Sequence, residues 1–189
     1  MTRRCATVRG DRHRSIYLPP WRVDVVTRPG VEAKVADVAI ARAVARALAA
    51  ARAPEPGAVT LVLTDDEELA DLNREHMGID GPTDVLSFPM LPPESFLRLA
   101  PGDPGPRPRK PSRGVGGERV QIGDIAISVE RAFAQAAQGQ GGQTGDVHWS
   151  PADELLLLVT HGTLHLCGWD HAEPAEEAAM RALEKRLLG

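Results

Sequence analysis

Three of the chain's six histidines, His161, His165 and His171, fall in one short stretch with H-x3-H-x5-H spacing. Residues four apart on a helix share a face, with Cβ atoms about 5–6 Å apart. Two imidazoles so placed can reach a single zinc ion at roughly 2.0–2.1 Å each. His171 cannot join them on a continuous helix, where it would point about 120° away and sit roughly 9 Å further along the axis. Gly168 is where the chain can turn back, because glycine tolerates the positive φ that ends helices. Two ligands on a helix, a glycine break and a returning third ligand leave a fourth coordination position open. That is the pattern of a catalytic zinc, since structural zinc takes four protein ligands. One histidine on an apolar helix is more simply a core residue, but three at this spacing favour a metal.

An open zinc site acidifies its bound water and polarises a carbonyl or phosphoryl oxygen, so the expected chemistry is hydrolysis. Nickel or cobalt would also suit three imidazoles. The peptidase pattern H-E-x-x-H places a glutamate base directly after the first histidine. Here that position is Gly162, which counts against a zinc-dependent peptidase. Cys167 lies between two of the histidines but on the far side of the helix from His165, and reads as a small core residue.

The element that must carry the pair begins with strong local signals. Ser150 is an N-cap, Pro151 suits the first helical position, and Asp153 and Glu154 lie in the positive-end turn. The run LLLLV at 155–159 is apolar all round, so this helix is expected to be buried. Around it the chain reads as a strand at 21–26, a turn at Pro29-Gly30, an amphipathic helix over 31–53 and a strand at 58–63. A helix capped by Thr64, with Glu67 completing a capping box, is expected to run to about residue 76. Strands follow at 84–88 and 121–128, then helices at 129–137, from residue 151, and at 174–188. This order predicts one α+β domain with about four strands.

Two Pro/Gly-rich stretches, about 92–118 and 138–149, read as flexible insertions. The first carries Arg107, Arg109, Lys110 and Arg113 without an acid among them. A solvated linker is the plain reading, and an arm that attracts RNA phosphates the functional one. Residues 1–20 have five arginines against one aspartate and read as a basic, disordered extension. They lack the apolar core of a secretion signal.

Bulk properties narrow the class. The 189 residues fit one domain with extensions, and 42% hydrophobic with 25% charged residues is ordinary for a globular chain. A formal net charge of −4 excludes a generally basic nucleic-acid binder and leaves only a local patch for such contacts. Two cysteines make no disulfide framework and suit a reducing cytoplasm. The longest aliphatic run is far below the roughly 20 residues of a membrane span.

The stretch HGTLHLCGWDH resembles the H-G-x-L-H-L-x-G-y-D-H signature of the YbeY family of metal-dependent endoribonucleases. Leu72-Asn73 followed by PTDVLSFP at 82–89, and GDIAIS at 123–128, are similar to two further family segments. The likeness covers roughly 21–189 apart from the two insertions. It implies a zincin-like single domain, with a mixed sheet, helices packed around it and zinc on His161, His165 and His171. It also implies that metal-activated water cleaves single-stranded RNA, in small-subunit rRNA 3′-end processing and ribosome quality control. RNA and the small ribosomal subunit would then be the partners, and the cytoplasm the location; the sequence carries no sign of oligomeric state.

The chain departs from this family at one place. Many members carry an aromatic and then an arginine shortly after Leu-Asn, where this sequence has His76 and Met77. Met77 cannot neutralise a phosphate, so a needed cation would come from elsewhere, such as residues 107–113. Asp170 could orient an imidazole or act as a base, or simply be a turn carboxylate. Asp84 and Ser87 could line the cleft, or be a turn residue and a strand hydroxyl; Asp124 reads the same way. Trp169 could stack an unpaired base or cap the helix end as core. The alternatives to an endoribonuclease are a ribosome-assembly factor with a mainly structural metal, and a zinc hydrolase of peptides or small molecules.

Overall fold

The computed structural model describes residues 10–96, 119–138, 150–170 and 173–189. Five strands, β1 (Arg12–Leu18), β2 (Trp21–Thr27), β3 (Gly57–Thr64), β4 (Val85–Pro89) and β5 (Val120–Ser128), form one mixed sheet in the order β1-β2-β3-β5-β4. β2, β3 and β5 are parallel, while β1 and β4 pair antiparallel at the two edges. The helices are α1 (Asp37–Ala50), α2 (Asp66–Met77), α3 (Val129–Ala137), α4 (Pro151–Leu166) and α5 (Pro174–Leu188).

The main core lies between one sheet face and α1, α4 and α5. Val23, Val25, Val59, Leu61 and Leu63 meet Ile40, Leu48, Leu155, Leu164 and Met180 there, all at most 2% exposed. Each such side chain contributes about 1.5–3 kcal/mol relative to an exposed one. The opposite face holds a smaller cluster of Leu69 on α2 with Leu86 and Ala126. The α+β expectation holds, with five strands where about four were expected.

The additional strand comes from residues expected to be disordered. Arg12–Leu18 pairs along its whole length with β2. Alternation puts Arg12, Arg14, Ile16 and Leu18 on one side, where Ile16 and Leu18 pack on the core. Arg12 binds Asp37 through both guanidinium nitrogens, at 2.5 and 3.1 Å, and reaches Thr27 Oγ1 at 3.0 Å. Asp37 is only 8% exposed, so these arginines offset a buried charge on α1 that local sequence does not reveal.

Other boundaries shift for local reasons. α1 starts at Asp37, because the apolar residues at 31–36 pack as a loop with Ala33 buried. Thr64 stays in β3, and Asp65 caps α2 by accepting from Glu68 N. The first insertion begins later than expected. Pro93–Ser95 forms a 3-10 turn, and Phe96, 5% exposed, joins the core. Residues 97–118 and 139–149 lie outside the described residues.

α4 is as the sequence predicts. Ser150 accepts from Asp153 N while the Asp153 carboxylate accepts from Ser150 N at 3.0 Å, a capping box. Ten of its sixteen residues are buried, which makes it a rigid central support. Its last two turns press on β4 and β5 at two glycines. A Cβ on Gly162 would stand 2.9 Å from both Ile125 Cγ2 and Val85 Cγ2. One on Gly123 would stand 2.5 Å from Phe88 O and 2.8 Å from Leu166 Cδ2.

Candidate metal centre

His161 and His165 lie one turn apart on α4, as their spacing requires. Their rings are 4.5 Å apart between centroids and inclined at 80°, and the two Nε2 atoms face each other at 3.0 Å. What the Nδ1 atoms meet decides the protonation of this pair. His165 Nδ1 is 2.9 Å from the backbone oxygen of Trp169, which can only accept, so Nδ1 carries the hydrogen. His161 Nδ1 is 2.7 Å from Glu184 Oε1, and donates to that carboxylate. With Nδ1 as the donor in each ring, the neutral form of either one turns an Nε2 lone pair toward the other. Two lone pairs 3.0 Å apart repel unless a proton or a cation lies between them. Ligation at about 2.0–2.1 Å each suits nitrogens at close to this separation, so the pair could hold a metal ion.

The way α4 ends supplies the partner of His165. Gly168 has φ of 78°, its N–H reaches His165 O at 3.0 Å, and Trp169 N reaches Leu164 O at 3.1 Å. This is a Schellman closure around a left-handed glycine. The closure reverses the chain at the expected residue and places the Trp169 carbonyl under the His165 ring. Trp169 is half-buried and packs against the core. His171 lies outside the described residues. Among those described, no three His, Cys, Asp or Glu side chains gather as a metal-holding group.

Glu184 escaped the sequence reading. It sits on α5, 3% exposed, whereas the His161 side chain keeps 22% of its exposure. The Nδ1 side of the pair is thus sealed and the His161 ring remains reachable from solvent. The signal that could have found Glu184 is its phase: it shares the inward side of α5 with Met180 and Leu183. A carboxylate in an apolar stripe requires a partner.

Ser87, on β4, donates to Gly162 O at 3.0 Å and so ties the edge strand to the helix one residue after His161. Asp84 accepts from Val85 N at 2.9 Å and Gln135 Nε2 at 3.1 Å, which makes it a turn carboxylate linked to α3. Asp124 is held by Gln121 at 3.3 Å. Asp170 is exposed at the helix end. Arg107, Arg109, Lys110 and Arg113 lie outside the described residues. His76 is exposed at the end of α2, edge-on to Phe88 with ring centroids 5.1 Å apart. Burial pushes the Cys167 thiol up to about 12, so it stays protonated as a core group.

Comparison with known proteins identifies the family of the chain. The family model "Endoribonuclease YbeY" matches residues 28–189. An Endoribonuclease YbeY of Chloroflexus aurantiacus is 41% identical over 150 residues, 79% of this chain and 82% of its own. One from Roseiflexus castenholzii is 39% identical over 168 residues, 88% of this chain and 91% of its own. A Thermotoga maritima protein of known solution structure shares the fold, with a TM-score of 0.50 at 21% identity, covering 88% of this chain and 86% of that one. The chain belongs to the Endoribonuclease YbeY family.

Proposed function

We propose that this chain is a zinc-dependent endoribonuclease that cuts single-stranded RNA during rRNA maturation, at the small-subunit 3′ end, and in ribosome quality control. The observation that carries the reading is the pair of Nε2 atoms facing each other at 3.0 Å with both Nδ1 atoms engaged. His161 and His165 would hold the ion, together with His171, which the H-x3-H-x5-H spacing nominates. Zinc bound there supplies a Lewis acid and a water acidified toward neutrality. The chain's own residues do the positioning. Glu184 fixes the His161 ring, the Trp169 carbonyl fixes His165, and Ser87 locks the helix against β4.

The test is metal analysis of purified protein together with cleavage of single-stranded and duplex RNA. Chelator and His165→Ala are expected to abolish cutting of the single strand, and zinc to restore it after chelation only. Cleavage that survives both treatments overturns the reading. Small-subunit rRNA bound but never cut would instead support the assembly factor.

A further inference from the structure

We propose that the outer side of β4 and the end of α2 form a ledge that binds a base of the RNA strand being cut. The inference rests on the endoribonuclease reading and adds where the substrate lies. Alternation along β4 sends Ser87 to the α4 backbone beside His161 and Phe88 to the opposite face. There the His76 ring meets Phe88 at 5.1 Å and 72°, and His76 is itself exposed. Six large hydrophobic side chains are exposed among the described residues, and three of them flank these two rings in sequence. They are Met77 at 47%, Ile79 at 59% and Met90 at 55%. Exposed apolar side chains on the two segments that carry a touching pair of rings point to a binding surface.

The chemistry selects a base rather than a phosphate. Arg74, two residues before His76 on α2, is engaged by Asp71, while Glu75 and Asp80 flank the ledge in the chain and repel an anion. An exposed imidazole packed edge-on with Phe88 suits the π-face of an unpaired base, and such stacking tolerates any sequence. β4 is an edge strand running alongside the α4 turn that bears both histidines. A strand whose phosphate lies at the metal pair can therefore pass over this edge and set a neighbouring base on the ledge.

The test measures binding and cleavage of single-stranded oligoribonucleotides by the whole chain, including a set with one abasic position moved along the strand. His76→Ala and Met90→Ser are surface changes whose folding is checked by thermal melting. Wild type is expected to lose affinity when one particular position beside the cut is abasic. Both variants should raise KM at least roughly fivefold, the loss of about one base–aromatic stack. They should leave kcat little changed and no longer sense that abasic position. Wild-type cleavage with unchanged KM and abasic profile in the variants overturns the ledge alone. Absence of any single-strand binding by wild type overturns both the ledge and the endoribonuclease reading. Variants that cut oligonucleotides normally yet lose ribosomal-subunit binding would overturn the ledge as a seat for the strand being cut.

Discussion

A carboxylate as buried as that of Glu184 is unfavourable without a hydrogen-bond partner, and here the partner is the Nδ1–H of His161 at 2.7 Å. Groups that orient a metal-binding histidine typically carry 10–100-fold in metal affinity. Glu184→Ala is therefore expected to weaken zinc binding by about that factor, measured by competition with a chromophoric chelator. Glu184→Gln keeps an acceptor and should retain more of it. Equal affinity in all three proteins would remove Glu184 from the site. Residue roles were unevenly legible in the sequence. The pairing of His161 with His165 follows from helical spacing alone, whereas Glu184 is brought in by docking of a different helix. Asp84 carried no local sign that Gln135 of α3 would occupy it.

At the scale of elements, α4 is held close to the sheet because Gly162 has no side chain. Adding one methyl places carbon 2.9 Å from two branched side chains, and overpacking of that kind costs about 1–3 kcal/mol. Gly162→Ala should lower the urea midpoint accordingly and, by tilting the histidine turn, weaken zinc binding as well. α2 is anchored differently. Glu68 accepts from Arg28 at 2.5–3.0 Å and from Thr64, and the Arg28 guanidinium holds its carboxyl below the ordinary value of 4.5. A depressed carboxylate stabilises the fold above its unfolded value, and the contribution fades as pH falls through the lower folded value. Glu68→Gln should thus cost about 1 kcal/mol at pH 7, with the gap in melting temperature closing as pH falls below the ordinary carboxyl value of 4.5. Helices α3, α4 and α5 were legible because their caps and dipole charges are local; the start of α1 was not, since its preceding loop is apolar for tertiary reasons.

Across the whole molecule, the edge strand β1 completes the sheet and neutralises Asp37 at once. Its arginines resemble a basic tail when read alone, and only the buried aspartate 25 positions later explains them. Removal of residues 1–19 is expected to lower the melting temperature by several degrees, about 1–3 kcal/mol, through the uncovered β2 edge and the unpaired carboxylate. An unchanged melting curve would deny the strand that part. The distance along the chain between His161 and its acceptor has a further consequence. They are 23 positions apart, on helices made one after the other. A nascent polypeptide halted before residue 184 already displays both imidazoles but leaves the first one unsteadied. The orientation of the His161 ring is thus completed only when α5 has emerged and docked.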